Sequence, residues 1–222
     1  MKRQLVIFDL DGTMLNTIAD IAMATNHALS AFGYPTHSEE KIKSFVGNGV
    51  SKLLERALPE DKRTEEKIAL LREAFTEYYD KHNADLSTPY PGIASLLSQL
   101  QENGVLLAVA SNKYQSATEK LVAHYFPGIN FVCVLGQRTG IPVKPSPDIV
   151  HEIMATANVY RKDTIYVGDS GVDMQTANNA GINAVAVSWG FRPRQELETY
   201  CPFAIIDKAE DLIPYIMTSW PQ

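Results

Sequence analysis

Hydrophobic residues recur with two different periods in two parts of this chain. Between about residues 17 and 82 they return every three or four positions, as in Ile68, Leu71, Phe75 and Tyr78, which is the period of an amphipathic helix. Helices are predicted at about residues 17–32, 38–45, 50–58 and 64–82. No strand is predicted in this block, so it is expected to be entirely helical.

Outside this block, short apolar runs alternate with segments of helical length. The first run, Leu5 to Phe8, precedes the helical block, and the others follow it. Strands are predicted at about residues 5–8, 105–110, 131–135, 165–167, 184–187 and 203–206, and helices at about 91–103, 114–125, 147–157, 171–180, 193–199 and 209–217. Strands that alternate with helices form parallel sheets with right-handed crossovers. The sequence therefore predicts an α/β core, residues 1–16 and 83–222, with an all-helical domain, residues 17–82, inserted after the first strand.

Two carboxylates follow the first predicted strand. Asp9 and Asp11 stand two positions apart at its carboxyl end, and Gly12 and Thr13 then turn the chain. Open α/β sheets bind their ligands at the carboxyl ends of the strands. Two carboxylates this close repel each other unless a cation lies between them, and hard oxygen ligands suit Mg²⁺. The alternative is a simple surface turn, because Asp-Gly is common in turns.

Three further polar motifs are predicted at the ends of later strands. Ser111 and Asn112 follow one strand, where a hydroxyl and a backbone amide can hold an anionic oxygen. Lys144 is followed by two prolines that restrict the backbone, which favours a fixed positive charge. Asp169 ends another strand, and Asp173, one helical turn later, faces back towards the same end. Each motif alone is compatible with a helix cap or a solvated loop, but their common position at strand ends favours one site.

The order of these motifs resembles the haloacid dehalogenase-like hydrolases. The segment from Asp9 to Thr13 resembles the family's first motif, and Ser111, Lys144 and the segment with Asp169 and Asp173 resemble the other three, in the same order. Members of this family are mostly Mg²⁺-dependent phosphatases that work through an aspartyl-phosphate. The resemblance implies a Rossmann-like parallel sheet core, and the helical insert is similar to a type-one cap.

The resemblance also implies a role for each motif residue. Asp9 is expected to be the nucleophile and Asp11 the general acid and base. Asp9, the backbone carbonyl of Asp11 and Asp169 are expected to bind Mg²⁺, with Asp173 in or near that shell. The residues expected to contact the phosphate are Thr13, Ser111, Asn112 through its amide, and Lys144, which also orients Asp9.

Two segments resemble those of phosphoglycolate phosphatases and their near relatives. They are Val46–Gly49 in the predicted helical domain and Trp189–Arg194 in the predicted core. The short Gly-Asn-Gly turn suggests a small leaving group, with Asn48 as a substrate contact and 2-phosphoglycolate as the first candidate substrate. A carboxylate on that substrate would require a cation, and Arg56 and Lys52 are the nearest in sequence.

Several other activities would use the same residues. An inorganic pyrophosphatase or a sugar-phosphate phosphatase or mutase could share this site. A phosphonate hydrolase could also share it, with Lys52 as an imine-forming lysine. A non-enzymatic alternative is a phosphate-responsive binding module similar to a bacterial receiver domain. Receivers, however, usually carry their phosphorylated aspartate after the third strand and have no helical insert.

Composition and charge restrict the class of partner. The chain has 222 residues, of which 45% are hydrophobic and 21% charged, as in ordinary globular proteins, and its formal net charge of −6 does not favour nucleic acid. Cys133 and Cys201 form no CxxC motif, and no apolar run is long enough to span a bilayer. With no signal peptide in view, we expect a cytoplasmic monomer or homodimer that binds a small phosphorylated metabolite, without nucleic-acid or membrane partners.

Overall fold

Six parallel strands form the main sheet of this protein, for which a computed structural model describes residues 4–217. The described residues form these six strands and two short ones outside the main sheet. In chain order they are β1 (Leu5–Phe8), β2 (Leu15–Asn16), β3 (Thr88–Pro89), β4 (Leu106–Tyr114), β5 (Phe131–Gln137), β6 (Thr164–Gly168), β7 (Asn183–Val187) and β8 (Ala204–Ile206). The two short strands are β2 and β3. The sheet has the order β5-β4-β1-β6-β7-β8, and all of its neighbouring strands are parallel. The predicted α/β class with a parallel sheet is confirmed.

Helices connect these strands and also make up the insert. They are α1 (Ile18–Ala31), α2 (Glu39–Phe45), α3 (Val50–Ala57), α4 (Glu65–His82), α5 (Ile93–Glu102), α6 (Gln115–Tyr125), α7 (Asp148–Ala157), α8 (Gly171–Ala180), α9 (Arg194–Glu198) and α10 (Ile213–Met217). The predicted helix 209–217 is divided into a 3₁₀ turn, Ala209–Leu212, and α10. A continuous helix would require a backbone donor at Pro214, which has none. Within residues 4–217, no helix combines the length and the apolar character needed to cross a membrane.

The central strand β1 is buried on both faces. All four of its residues have fully buried side chains, as a strand covered by helices on both sides of a parallel sheet requires. Leu5 and Ile7 belong to a core cluster that also contains Ile149 and Ile153 of α7. The apolar run seen in the sequence therefore corresponds to a fully buried strand of the sheet.

The register of the sheet brings three strand ends to the same level. Phe8 of β1 is paired with Val109 of β4 and with Val167 of β6. The backbone N–H of Asp9 donates to the carbonyl of Val167 over 2.9 Å, so the pairing continues one residue past β1. The residues that follow on these strands consequently meet at one edge of the sheet.

Strand β4 is longer than the sequence predicted. It continues past residue 110 through Ser111, Asn112 and Lys113, and its pairing with β5 is irregular in this stretch. These three polar residues are all buried. A sequence pattern cannot distinguish a buried polar strand end from a loop, because both contain the same residue types.

The chain divides into two compact units, one of which is Asn16–Thr88 with helices α1 to α4. The short strands β2 and β3 pair with each other where the chain leaves and re-enters the α/β unit. The helical unit extends further than the predicted block 17–82. The backbone amides of Leu86 and Ser87 donate to the carboxylate of Asp20 in α1, over 3.0 and 2.8 Å, and this ties the segment after α4 to the helices.

Candidate active site

Three aspartates lie together at the carboxyl edge of the sheet. Asp9 follows β1, Asp169 follows β6, and Asp173 is in the first turn of α8. All three are buried, and one carboxylate oxygen of each lies within 4.8 Å of the others. The structure thus brings together the three aspartate side chains that the sequence analysis proposed as metal ligands.

The carboxylate of Asp169 is held from both sides. Thr13 Oγ1 donates to one of its oxygens over 3.2 Å, and the backbone N–H of Phe191 donates to the other over 2.6 Å. Gly12 and Gly190 lie directly against it, since a Cβ at either position would come within 2.3 Å of an Asp169 atom. Gly12 also has a φ of +89°, which side chains rarely adopt. The turn after Asp11 therefore needs glycine for both space and conformation.

Lys144 is a buried cation among four acceptors. Its Nζ lies 2.8 Å from Asp9 Oδ1, 2.7 Å from Asp173 Oδ1, 2.9 Å from the Tyr166 hydroxyl and 3.0 Å from the Ala110 carbonyl. An ammonium has three N–H donors, so these partners together fix its position. Lys144 contacts the proposed nucleophile directly, as the sequence analysis expected of a residue that orients Asp9.

The backbone of Lys144 is fixed by Asn112. The side-chain amide of Asn112 accepts from the Lys144 N–H over 2.9 Å and donates to the Lys144 carbonyl over 3.1 Å. This pair of bonds joins the end of β4 to the loop before α7. The side chain of Asn112 is thus used on the protein itself, and its backbone amide is the group that the sequence analysis assigned to the phosphate.

Asp11, the second carboxylate after β1, forms an ion pair with a different lysine, Lys113. Lys113 Nζ lies 2.9 Å from Asp11 Oδ2, and both side chains are largely shielded from solvent. The backbone N–H of Lys113 donates to Ser111 Oγ over 3.2 Å. Ser111 and Thr13, two of the predicted phosphate contacts, are buried at the same edge of the sheet.

Both oxygens of Asp173 accept hydrogen bonds within the site. One accepts from Lys144 and from the Tyr166 hydroxyl, and the other accepts from the backbone N–H and the hydroxyl of Ser170, over 3.1 and 2.6 Å. The bonds to Ser170 cap α8. Asp173 consequently orients Lys144 and starts the helix at the same time.

The pKa values of this cluster are shifted by burial and by mutual repulsion. Burial raises the pKa of the Asp9 carboxyl well above its usual value, Lys144 opposes this, and Asp173 and Asp169 add to it. Burial, reinforced by Asp173, raises the pKa of Asp169 to about 7. Burial alone would lower the pKa of Lys144, but the Asp173 and Asp9 carboxylates raise it well above its usual range.

The donor set fits a divalent cation. Three buried carboxylates face one buried ammonium, Lys144, so with all groups ionised the cluster has an excess of two negative charges. One Mg²⁺ would balance that excess, and oxygen ligands are those it prefers. Asp9, Asp169 and the Asp11 carbonyl are the residues that could hold it, with Asp173 beside them.

Asn48 lies in the other unit, in the turn between α2 and α3. The guanidinium of Arg56 donates to the Phe45 carbonyl over 2.7 Å and to Asn48 Oδ1 over 2.8 Å. Lys52 is ion-paired with Glu55 over 2.6 Å. Arg56 thus fixes the Asn48 amide, a link that the sequence analysis did not foresee.

Sequence reasoning missed three contributors to the α/β site: Lys113, Tyr166 and the backbone N–H of Phe191. Tyr166 lies in a strand that was predicted, and its polar hydroxyl inside an apolar run was the available signal. Lys113 directly follows Ser111 and Asn112 in the chain, but the sequence analysis gave it no role. No side-chain pattern reports a backbone donor such as that of Phe191.

Comparison with known proteins agrees with this architecture. The family model of the haloacid dehalogenase-like hydrolases matches residues 6–187. Phosphoglycolate phosphatase 1 of Pseudomonas aeruginosa is 32% identical over 219 residues, covering 95% of this chain and 79% of that protein. The phosphoglycolate phosphatase of Vibrio parahaemolyticus is 30% identical over 221 residues, or 97% of each chain. A crystal structure from Lactobacillus delbrueckii subsp. bulgaricus, provisionally assigned as a phosphoglycolate phosphatase, has a TM-score of 0.91 and 36% identity, covering 98% of this chain and 100% of that chain.

The matched region includes β1, β4 and β6 together with the aspartates and lysines at their ends, and the chain belongs to the haloacid dehalogenase-like hydrolases. Within that family it is phosphoglycolate phosphatase-like, and it is an enzyme of the phosphatase class. The resemblance inferred from the order of the motifs is confirmed at this level.

Proposed function

We propose that this protein is a Mg²⁺-dependent phosphomonoester hydrolase that works through an aspartyl-phosphate on Asp9. The observation that carries the proposal is the environment of the Asp9 carboxylate. It ends the central strand, has a fixed ammonium 2.8 Å away, and shares a buried cluster with two further carboxylates. A cluster that keeps an excess of negative charge is suited to a cation and a charged substrate rather than to a purely structural role.

The proposed reaction has two steps, with Asp11 moving a proton in each. In the first, an oxygen of Asp9 forms a bond to phosphorus while the bond to the leaving oxygen breaks, and Asp11 donates a proton to the leaving alkoxide. In the second, a water oxygen attacks the same phosphorus, Asp11 takes a proton from that water, and the Asp9 carboxylate is released as inorganic phosphate forms.

The groups around Asp9 are assigned to the phosphoryl oxygens. Lys144, the Ser111 hydroxyl and the Asn112 backbone amide come from two different segments of the α/β unit and are proposed to hold the oxygens as charge develops on them. When bound, Mg²⁺ supplies positive charge that reduces the repulsion between carboxylate and phosphate. Lys144 also keeps Asp9 oriented for attack.

The proposed substrate is a small phosphorylated metabolite, with 2-phosphoglycolate as the first candidate. Support comes from relatives of that name that match nearly the whole chain. The amide of Asn48, held by Arg56, is proposed to contact the leaving group. The Arg56 guanidinium binds its own unit at two points, and we propose that it influences a substrate carboxylate by holding Asn48.

The phosphonate hydrolase alternative is less well supported. An imine-forming lysine must be neutral to attack, and enzymes achieve this by desolvation or by a nearby positive charge. The side chain of Lys52 is 57% exposed and is ion-paired with Glu55, both of which favour its charged form. The pyrophosphatase and sugar-phosphate alternatives use the same core residues and are separated by substrate preference.

A substrate panel tests the proposal. Purified protein would be assayed with 2-phosphoglycolate, a hexose phosphate, pyrophosphate and 4-nitrophenyl phosphate, and Asp9→Asn protein prepared identically would serve as the control for contaminating phosphatases. We expect kcat/KM to be highest for 2-phosphoglycolate. A higher value for hexose phosphates or pyrophosphate would contradict the substrate assignment alone, and activity that survives in Asp9→Asn would contradict the mechanism.

A further inference from the structure

Lys113 is a second buried lysine in the α/β unit, and the proposed mechanism gives it no role. Its side chain is 5% exposed, and its Nζ lies 2.9 Å from Asp11 Oδ2. Removing an ammonium from water costs several kcal/mol unless a partner compensates for it, so a buried lysine is expected to have a specific partner. The ion pair therefore assigns Lys113 to Asp11, as Lys144 is assigned to Asp9.

The backbone of Lys113 is fixed more firmly than a loop position would be. Its N–H donates to Ser111 Oγ over 3.2 Å, and its carbonyl accepts from Thr118 Oγ1 in α6 over 3.2 Å. Gly136 of β5 packs so closely that a Cβ there would lie 2.5 Å from the Lys113 carbonyl oxygen. These contacts restrict where the side chain begins, and burial restricts where it can extend.

A fixed partner is useful to Asp11 because of what Asp11 has to do. Proton transfer in the transition state requires the carboxylate to lie within hydrogen-bond reach of the leaving oxygen, and small displacements reduce the rate strongly. Asp11 lies in the turn after β1, and its side chain is 13% exposed, more than that of Lys113. An aspartate in a turn can adopt several rotamers, and an ammonium at a fixed position selects among them.

We propose that Lys113 is a positioning residue that holds the Asp11 carboxylate in the orientation needed for proton transfer to the leaving group. This inference rests on the proposed function, because it assigns a role within that reaction. It predicts a dependence on the leaving group. An alkoxide is a poor leaving group and needs the proton from Asp11, whereas 4-nitrophenoxide is a stable anion that leaves without it.

The test compares an alkyl and an aryl phosphate in two variants. Lys113→Met removes the ammonium, and Lys113→Arg retains a cation. The matched control is Lys162→Met, because Lys162 is an exposed lysine in the same unit. With Lys113→Met we expect kcat/KM for the best alkyl phosphate to decrease about 10²-fold, the lower range for a general acid, because kcat/KM reports the steps up to release of the leaving group. We expect kcat/KM for 4-nitrophenyl phosphate to change less than about threefold. Lys113→Arg should recover part of the loss, and Lys162→Met should behave as wild type.

A double-variant cycle tests whether Lys113 acts through Asp11. If it does, adding Lys113→Met to Asp11→Asn should cause no further loss with the alkyl phosphate, since the group to be positioned no longer transfers protons. An additional loss as large as that in the wild-type background would overturn the inference. An equal decrease in kcat/KM for both substrates in the single variant would also overturn it and would instead indicate a contact with the phosphate, which both substrates share.

Two controls keep the outcomes distinct. Circular dichroism and Mg²⁺ affinity measured by calorimetry would establish that Lys113→Met is folded and retains its metal site, and Lys113→Gln would replace it if it is not folded. If wild-type protein hydrolyses no phosphate ester, the proposed function is wrong. If wild-type protein hydrolyses both esters and the Lys113 variant shows no discrimination, only the role of Lys113 is wrong.

Discussion

Each unit of this protein contains a buried aspartate, and the two differ in what surrounds them. Asp20 of the helical unit is 2% exposed and accepts from the amides of Leu86 and Ser87 and from the Ser87 hydroxyl. Asp9 of the α/β unit is 7% exposed and faces Lys144 together with two other carboxylates. Both are buried carboxyl groups, but neutral donors from one loop surround the first, while ionisable groups surround the second.

This difference separates a structural carboxylate from a chemical one. The donors around Asp20 come from the segment after α4, so the contacts close that segment onto α1. Around Asp9, two carboxylates and one ammonium leave an excess of negative charge that the described protein groups do not balance. Burial by itself therefore says little about function, whereas burial with like charges in contact is a strong indication of a ligand.

The largest expected effect is the loss of activity in Asp9→Asn. The substitution keeps the shape of the side chain but removes the attacking charge, so turnover should decrease by at least ~10³-fold, or roughly 4 kcal/mol of transition-state stabilisation. Steady-state kinetics with the best substrate would measure it. Asp20→Asn is the matched control, because it makes the same chemical change at the buried aspartate of the helical unit and should retain most activity. Similar losses in the two variants would contradict the comparison.

Removal of divalent cations should have the next largest effect. EDTA should abolish hydrolysis, and added Mg²⁺ should restore it, since the carboxylate cluster repels a phosphate ester without a cation. Ca²⁺ should bind but support little turnover, because its longer bonds and looser coordination displace the reacting groups. Asp169→Ala should reproduce the chelated state even in excess Mg²⁺. Full activity after exhaustive chelation would exclude this assignment of the cluster.

The sequence predicted the α/β unit well because its chemistry lies at the ends of apolar strands. Asp9 and Asp169 each terminate a run such as Leu5–Phe8, and parallel pairing makes those ends meet. The contacts of Lys113 and Asn112 could not be predicted, because they depend on how β4 continues past its apolar part. Phe191 donates to Asp169 through its backbone amide. Any residue except proline provides such a donor, so the sequence could not indicate this contact.

The helical unit was predictable in its elements but not in its connections. The periodic apolar positions gave its four helices, and Thr64 caps α4 by accepting from the Lys67 N–H. The Asp20 side chain binds the backbone amides of Leu86 and Ser87, which lie 66 and 67 positions later in the chain. This is a long-range contact between a side chain and the backbone. No local pattern encodes such a pair. The predicted helical block therefore ends at residue 82 and does not include Leu86 and Ser87.

Asp20→Ala should reduce stability more than activity. The substitution leaves the amide donors of Leu86 and Ser87 without their acceptor, and the loss of bonds to a buried charge is expected to cost about 3 kcal/mol of unfolding free energy. Thermal unfolding followed by circular dichroism would show a lower Tm, and kcat measured well below that Tm should be nearly unchanged. A loss of kcat in protein that is still folded would place Asp20 in the chemistry and contradict the comparison.

The α/β unit should show a smaller effect that depends on pH and is reversed by metal. The folded pKa of Asp169, about 7, lies above its ordinary value of 3.8, so the folded state binds a proton that the unfolded state has lost. Its contribution to stability is fully present below about pH 4 and is lost as the pH rises through about 7. Without metal, this site should therefore favour a higher Tm at pH 5 than at pH 8, and Mg²⁺ should raise the Tm at pH 8.

Asp169→Asn provides the control for that experiment. It cannot titrate, so the difference in Tm between pH 5 and pH 8 should shrink. Since Asp9 also has a raised pKa, part of the dependence should remain in Asp169→Asn. A metal-free protein that becomes more stable from pH 5 to pH 8, with Asp169→Asn unchanged, would contradict the assigned direction.

The smallest expected effect is on substrate preference, in the turn of the helical unit. Arg56 donates to Asn48 Oδ1, so the amide nitrogen of Asn48 is the donor proposed to contact the leaving group. Asn48→Ala should lower kcat/KM for 2-phosphoglycolate about fivefold more than for 4-nitrophenyl phosphate, or roughly 1 kcal/mol of discrimination. Arg56→Lys retains the charge but cannot bind both Phe45 and Asn48 with one planar fork, so it should cause a smaller loss in the same direction. Equal losses for both substrates would mean that this turn supports the fold of the helical unit, as Asp20 does, and that substrate selection lies elsewhere.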